Sequence, residues 1–316
     1  MMAWIFGVVG GAVLLVLLVS FGCFCKTFFV PYRNPKKRKC VTMPGGDIYA
    51  PYRESMERWA REALEMPHEL VKVTSYDGLT LCGRLYEYAP EAPIELMFHG
   101  YRGNALGDLA GGIARCFAVG RSVLLVDQRC CGDSDGHVIT FGIREHRDCL
   151  TWLAYLTHRF GEERKVILTG VSMGAATVLL AAGTPLPNNV IGVLADCGFD
   201  SAKDIIGSVI RQMGLPVWLA YPFVRLGARL FGGFDLEEYT ALQAMARCSV
   251  PVIFFHGEQD DFVPCEMSRR LYEACVSRKQ LVTVPGAGHG LSYPVEEQGY
   301  LSALEEFFGE EASYKK

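Results

Sequence analysis

Gly170-Val171-Ser172-Met173-Gly174 is the most informative motif of this 316-residue chain. It follows the apolar run 166–168 and precedes a run of small residues with helical character over 175–182. A sharp turn from a strand into a helix strains the serine backbone and exposes its hydroxyl above the sheet. A Cβ at either glycine would collide with the turn or with the neighbouring strand. The motif therefore predicts a nucleophile, Ser172.

The chain also supplies the partners that such a serine needs. A serine hydroxyl attacks well only when a base accepts its proton and a third group orients the base. Asp260 follows a buried strand predicted at 252–255, and His289 follows a short strand predicted at 281–284. His289 is the only histidine after Asp260. Ser172, Asp260 and His289 are therefore the candidate catalytic residues, in the chain order serine, acid, histidine.

A glycine-rich turn upstream completes this pattern. His99-Gly100-Tyr101-Arg102-Gly103 follows the mostly apolar run 94–98. Such a turn leaves backbone N–H groups unpaired at a strand end, where they can stabilise a developing negative charge. We expect the N–H groups of Tyr101 and Met173 to form an oxyanion hole.

Together these motifs resemble the α/β-hydrolases, in the serine hydrolase branch that includes monoglyceride-lipase-like, serine-aminopeptidase-like and Bem46-like proteins. The resemblance implies Ser172 as nucleophile, Asp260 as acid and His289 as base, with no organic cofactor and no metal. The segments that carry it are His99-Gly100-Tyr101-x-Gly103, Asp127-x-Arg129-x-x-Gly132-x-Ser134-x-Gly136, Gly170 to Gly174, Asp196-Cys197-Gly198-Phe199, His256 to Pro264, and Gly288-His289.

Other residues compete for some of these roles. Asp196 ends the apolar run 190–195 and is a second candidate for the acid, with Asp261 as a third. His99 and His256 fit better as histidines that satisfy backbone groups near the site. A serine at a strand-to-helix turn can also act simply as a helix cap.

Composition excludes several classes of ligand. The net charge is −4 and no basic face is evident, which argues against nucleic acid as a partner. The twelve cysteines show no paired C-x-x-C spacing, which argues against a zinc site. Their scatter through predicted strands and helices is typical of buried thiols in a reducing compartment.

The N-terminus carries a candidate membrane anchor. No charged residue occurs over 3–25, which is long enough to cross a bilayer. A cleaved signal peptide would need a basic start, and a buried core helix would show a polar stripe. The basic residues that follow the span place the bulk of the chain on the cytoplasmic side of a single-pass protein. They are Lys26, Arg33, Lys36, Lys37, Arg38 and Lys39.

Strands and helices alternate after the anchor, which predicts a mostly parallel, doubly wound α/β sheet. We divide the chain into an anchor at 1–30, a basic linker with an amphipathic helix at 31–69, and a catalytic α/β-hydrolase domain at 70–316. Strands are predicted near 70–75, 81–88, 94–98, 122–126, 165–169, 190–195, 251–256 and 280–284, and helices at 53–64, 144–159 and 266–276.

One apolar segment interrupts this alternation. Residues 197–249 have a helical pattern and predict a cap of two or three helices over the site, although ordinary core packing is an alternative. We expect Trp218, Tyr221 and Phe223 to line the cap and to favour an apolar acyl or aromatic group.

The sequence thus predicts a serine hydrolase that cleaves lipophilic carboxylic esters through an acyl-enzyme, with a small-molecule or lipid ester as substrate. A serine aminopeptidase or a thioesterase remains an alternative on the same fold. An aminopeptidase would need cap acids to bind the substrate amine, and Asp235, Glu237 and Glu238 form the only acidic cluster there. A membrane-bound binding protein without activity is a further alternative, against which the complete set of three residues argues.

Overall fold

Eight strands form one sheet, and helices cover both of its faces. The structure, a computed structural model, describes residues 2–31, 41 and 43–309. The strands are β1 Glu69–Thr74, β2 Thr80–Tyr86, β3 Ile94–Phe98, β4 Ser122–Asp127, β5 Val166–Val171, β6 Val190–Asp196, β7 Val252–Gly257 and β8 Lys279–Val284. The helices are α1 Met2–Thr27, α2 Arg53–Glu65, α3 Ala105–Ala118, α4 Glu145–Phe160, α5 Met173–Ala182, α6 Ala202–Gln212, α7 Val217–Gly227, α8 Ala241–Met245, α9 Cys265–Ala274, α10 Ser292–Val295 and α11 Glu297–Phe308.

The strand order across the sheet is β1-β2-β4-β3-β5-β6-β7-β8. β2 pairs antiparallel with β1 and β4, and every other neighbouring pair is parallel, so the predicted mostly parallel sheet is confirmed. The order reverses at β3, which has β4 on one side and β5 on the other. The loops that leave the carboxyl ends of β3 and β5 therefore diverge, and such a crevice is where open α/β sheets bind ligands.

The central strands are apolar because both of their faces are covered. All residues of β3, β4 and β7 are buried, as is the whole of α5. The exception in β3 is Glu95, which is fully buried between the guanidinium groups of Arg115 and Arg121. Burial raises the pKa of this carboxyl, but the two cations outweigh burial and hold its pKa at about 2. Glu95 is therefore an ionised carboxylate in the middle of the sheet.

The N-terminal helix is exposed along most of its length and docked at its end. Residues 4–19 are exposed, whereas Ser20, Phe24, Phe28 and Val30 are buried. Phe28 packs in the same core as Ile139 and Met173, and Phe29 forms a β-bridge with Val138. Residues 20–30 are thus part of the α/β domain, although the sequence suggested a separate anchor ending at residue 30.

Within the described ranges, α1 is the one helix long and apolar enough to cross a membrane, judged by length and composition. Its apolar stretch, Trp4–Thr27, has a mean hydropathy of 2.6. Lys26 lies within the described residues, whereas the predicted basic positions Arg33, Lys36, Lys37, Arg38 and Lys39 lie outside them.

The insertion predicted between β6 and β7 is helical. It holds α6, α7, a π-helical turn at Ala228–Gly232, and the short helix α8. Ser201 caps α6 by accepting the N–H of Asp204, and Thr240 forms a capping box with Gln243 at the start of α8.

We expect Glu95→Gln to destabilise the fold, because it leaves the charges of Arg115 and Arg121 buried without a counter-charge. Removal of one partner of a buried ion pair costs about 3–5 kcal/mol. Chemical unfolding in detergent micelles, followed by circular dichroism, measures the change. Glu306→Gln alters an exposed glutamate of α11 and should leave the unfolding midpoint unchanged. Equal stability of the two variants would contradict a structural role for the buried cluster of Glu95, Arg115 and Arg121.

Candidate active site

Ser172 lies at the turn between β5 and α5 in a conformation that L-residues rarely adopt, with φ 55° and ψ −115°. Two glycines make this turn possible. A Cβ at Gly170 would overlap the carbonyl of Gly174, and a Cβ at Gly174 would overlap the carbonyl of Phe98 in β3. The helix can therefore start directly against two strands, and the serine is lifted over the sheet edge.

The structure brings the side chains of Ser172, Asp260 and His289 together. His289 Nε2 lies 2.9 Å from Ser172 Oγ, and His289 Nδ1 lies 2.7 Å from Asp260 Oδ2. A carboxylate only accepts, so Nδ1–H donates to Asp260 and leaves Nε2 to accept from the serine hydroxyl. This arrangement matches the serine, base and orienting acid of an activated nucleophile.

The Asp260 carboxylate is buried and held by several donors. Its Oδ1 accepts the backbone N–H groups of Phe262 at 2.9 Å and Val263 at 2.8 Å. Burial raises its pKa, but hydrogen bonds from His256 and His289 outweigh burial and bring the pKa to about 2. Asp260 is therefore ionised at neutral pH and can stabilise a cationic imidazole beside it.

The two competing acids lie in other surroundings. Asp196 accepts hydrogen bonds from Ser292 Oγ at 2.8 Å and from the Tyr300 hydroxyl at 3.2 Å, and burial raises its pKa. Asp261 is exposed, and its carbonyl accepts the side-chain N–H of Gln212. The hydrogen bond from the His289 ring goes to Asp260 instead.

The two other histidines near the site satisfy buried polar groups. His99 Nε2 accepts the backbone N–H of Gln128 at 3.0 Å, so its Nδ1–H donates to the carbonyl of Gly100 at 2.7 Å. His256 Nε2 lies 2.8 Å from the carbonyl of Val263, and its Nδ1 lies 2.6 Å from Ser268 Oγ. Both rings thus stabilise loops next to the candidate site by hydrogen bonds to backbone groups.

The proposed oxyanion-hole donors lie at the ends of β3 and β5. In the described part of the chain, the backbone N–H groups of Tyr101 and Met173 donate to no protein acceptor. Met173 is the first residue of α5, where helix N–H groups are unpaired and the helix dipole favours negative charge. Both groups are thus available to a bound oxyanion.

The loop that holds Tyr101 is attached to the end of α1. The Tyr101 hydroxyl donates to the carbonyl of Thr27 at 2.6 Å, and Arg102 Nη2 donates to the carbonyls of Lys26 and Phe29 at 2.9 and 3.1 Å. These bonds satisfy carbonyls that a helix end leaves unpaired. The position of α1 and the position of this loop are therefore linked.

Ser172 and His289 open into a cavity of about 250 Å³ with a largely apolar wall. Trp218, Tyr221 and Phe223, which we expected to line a cap over the site, do not contribute to this wall. The segment 43–56, predicted to be linker and helix, covers the cavity instead. The apolar side chains of the wall are Met43, Pro44, Tyr49, Met56, Val171 and Phe262.

Among the lining residues that the sequence analysis did not single out, two make hydrogen bonds to the loops of the site. Tyr49 donates its hydroxyl to the carbonyl of His289 at 3.0 Å and so holds the histidine loop. Asp108 Oδ2 accepts the N–H of Gly100 at 3.0 Å, and burial raises the pKa of this carboxyl. Its carboxyl group occupies the space that a Cβ at Gly103 would need. The sequence signal for this contact was the spacing of Gly103 and Asp108, a glycine five residues before an acidic residue in the first turn of a helix.

One group of metal-ligand types occurs at the site. The Sγ of Cys197 and ligand atoms of Asp260 and His289 lie within 4.8 Å of one another, the only such cluster among the described residues. Burial raises the pKa of the Cys197 thiol well above its usual value, which disfavours the thiolate that a metal requires. Asp260 and His289 already bond each other, so the donor set fits a metal poorly.

Known proteins share this arrangement of strands and loops. The sequence profile of the alpha/beta hydrolase family matches residues 96–300, about two thirds of the chain. The chain belongs to the alpha/beta hydrolase family. This confirms the resemblance drawn from the motifs and the α/β-hydrolase fold.

Relatives of this hydrolase occur in bacteria and fungi. It is 28% identical over 272 residues to YqkD of Bacillus subtilis, covering 85% of each chain. It is 26% identical over 253 residues to protein bem46 of Schizosaccharomyces pombe, covering 78% of each chain. The fold is similar to that of the Pyrococcus furiosus esterase Pf2001, with a TM-score of 0.65, 22% identity, and coverage of 85% of this chain and 97% of the esterase.

The low pKa of Asp260 predicts how stability depends on pH. A carboxyl whose folded-state pKa lies below its unfolded value stabilises the fold above about pH 4, and this contribution is lost as pH falls through about 2. The difference amounts to about 2 kcal/mol. Between pH 5 and pH 2, Asp260→Asn should therefore lose less stability than the native protein by about this amount.

Unfolding midpoints at each pH measure this effect. Asp261→Asn changes the exposed neighbour in the same loop and serves as the control, with the pH dependence of the native protein. If Asp260→Asn kept the native pH dependence, the carboxylate would not be held by the donors described above.

Proposed function

We propose that this hydrolase cleaves carboxylic esters through a covalent acyl-enzyme on Ser172. The observation that carries the proposal is the pair of hydrogen bonds at His289, 2.9 Å to the serine hydroxyl and 2.7 Å to the Asp260 carboxylate. These distances lie within the range expected of a nucleophile, its base and the group that orients the base.

In the first step, Ser172 Oγ attacks the ester carbonyl carbon while His289 Nε2 accepts the hydroxyl proton. Asp260 stabilises the imidazolium, and the N–H groups of Tyr101 and Met173 bind the oxyanion. The tetrahedral intermediate then expels the alcohol, which takes the proton from His289, and the acyl group remains on Ser172. In the second step, water gives a proton to His289 as it attacks the acyl carbonyl carbon. The second tetrahedral intermediate then releases the carboxylic acid, and Ser172 Oγ takes the proton back from His289.

The substrate we propose is a lipophilic ester. The cavity wall of Met43, Met56, Val171 and Phe262 offers an apolar surface to an acyl chain. In the same proposal α1 anchors the protein in a membrane, where such esters concentrate. The positive-inside rule, applied to the basic residues after the span, places the α/β domain on the cytoplasmic side.

The aminopeptidase alternative has less support. Asp235, the first of the cap acids considered for binding a substrate amine, pairs with Arg225 and Arg229. Glu237 pairs with Arg225 and Lys203. Because these carboxylates are neutralised within the cap and lie away from the cavity wall, no strong amine site remains among them. A thioesterase would use the same nucleophile and the same cavity, so only substrate comparison separates it from an esterase.

Covalent labelling tests the nucleophile. A fluorophosphonate reacts with an activated serine, so the native protein should become labelled and Ser172→Ala should not. Ser208→Ala removes another buried serine hydroxyl, in α6, and should label like the native protein. Detection of the probe on intact protein by mass spectrometry decides the result. Labelling of Ser172→Ala would overturn the assignment of the nucleophile.

A substrate panel tests the reaction class. We expect p-nitrophenyl esters to be cleaved faster than matched thioesters and much faster than aminoacyl p-nitroanilides. Each added acyl methylene buried in the cavity should raise kcat/KM about fourfold until the cavity is filled. Rates are measured in detergent solution, with Ser172→Ala as the blank. Faster anilide cleavage would favour the aminopeptidase, and a rate independent of chain length would argue against an acyl-binding wall.

A further inference from the structure

The helix α7, the loop before it and the π-helical turn after it present an apolar surface to solvent. No charged residue occurs over 212–224. Trp218 is 78% exposed, more than any other large apolar side chain outside α1 among the residues that the structure describes. We call this the α7 surface, and its exposed members are Met213, Leu215, Trp218, Leu219, Leu230 and Phe231. Large exposed apolar patches mark surfaces that interact with a membrane or with another molecule.

The α7 surface lies directly beside α1. A Cβ at Gly227 would overlap the carbonyl of Ser20, so the two helices touch through their backbones. The ring of Phe231 lies 5.1 Å from that of Phe21, in an edge-to-face arrangement. The absence of a side chain at Gly227 allows this close approach.

The contacts also give the relative direction of the two segments. Gly227 meets Ser20, Gly232 lies against Phe24, and Phe234 packs on Phe28 with ring centroids 5.3 Å apart. Residue numbers therefore increase in the same direction along 20–28 and along 227–234. Gly227, the last residue of α7, lies beside the point where the exposed part of α1 ends.

The length of α1 places this contact at membrane depth. Trp4 is 80% exposed near the start of the helix, and tryptophan favours the interface of a bilayer. A hydrocarbon layer of about 30 Å takes about 20 residues at 1.5 Å each. With Trp4 at one interface, the other interface lies near Phe24. Ser20, and with it the end of α7 at Gly227, then lies about 6 Å inside that interface.

We propose that the α7 surface is embedded in the same membrane leaflet as the end of α1, with lipid acyl chains as its occupant. This rests on the proposed anchoring role of α1, but not on the proposed ester chemistry. The Trp218 side chain lies among the acyl chains or just below the headgroups. The domain is then held at two adjoining places, α1 and α7, so it cannot rotate freely about a single anchor.

The embedding has a consequence for the site. Gln212, at the end of α6 where the α7 surface begins, lines a shallow surface cavity together with Ile48, Phe262 and His289. Its side chain donates to the carbonyl of Asp261 at 2.6 Å. The membrane surface thus reaches the rim of the cavity that holds His289. A lipid ester can pass from the leaflet to the site with little exposure to water.

Quenching of tryptophan fluorescence by brominated lipid tests the proposal on the full chain. The variants Trp4→Phe, Trp218→Phe and the double variant are placed in phosphatidylcholine vesicles with acyl chains brominated at carbons 6 and 7 or unbrominated. Trp152 is buried and Trp59 half-buried in the domain, so both give the same background in every variant. In Trp4→Phe, bromination should lower the emission by up to about a third, since Trp218 is one of three remaining tryptophans. The double variant should show no such loss.

The same measurements give distinct results if the α7 surface is not embedded in lipid. Suppose that bromination lowers the emission of Trp218→Phe, through Trp4, but lowers neither that of Trp4→Phe nor that of the double variant. Then α1 is inserted but the α7 surface is not, and the proposal fails. If no variant is quenched, the anchor itself is wrong, and the proposal fails with it. A second copy of the chain is the other possible occupant. In that case quenching of Trp218 is absent at high protein-to-lipid ratio and crosslinked dimers form through α7, which also overturns the proposal. Fluorophosphonate labelling of the same samples reports on the ester chemistry independently.

Discussion

The backbone collision avoided at Gly170 and Gly174 is the constraint on which the rest of the site depends. Without side chains there, α5 begins in contact with the carbonyls of its own turn and of β3. The strained φ of Ser172 follows from this contact, since the chain must reverse within one residue. The serine therefore has one position, and the loops after β7 and β8 only need to bring an acid and a base to it.

Environment separates the carboxyl groups near this serine into different roles. Asp260 receives backbone and histidine donors and stays ionised, whereas Asp196 is bonded to hydroxyl groups in a buried place that favours its neutral form. Asp108 lies under the glycine-rich loop, where burial also raises its pKa. In the proposed mechanism a charge beside the developing oxyanion would oppose it, and a pKa raised by burial suits that position. Sequence order alone gave no means of making these distinctions.

The sheet and the three central residues could be predicted because their signals are local. Apolar runs with glycine-rich ends gave β3, β5 and β7 to within about two residues. The order serine, acid, histidine selected Ser172, Asp260 and His289, whose side chains lie within hydrogen-bond distance of one another. The cavity wall could not be predicted in this way. Whether Trp218 or Met56 faces the serine depends on packing between segments far apart in sequence, and both have the same apolar character. The junction of α1 with the domain was missed for the same reason.

That junction decides where a soluble fragment of the protein can begin. Phe24, Phe28 and Val30 fill the core that also holds Ile139 and Met173, and Thr27 receives the hydroxyl of Tyr101. A shortened chain that starts at residue 31 would lose all of these contacts and expose the face they cover. A cut near residue 19 removes only the exposed part of α1 and keeps the docked turn.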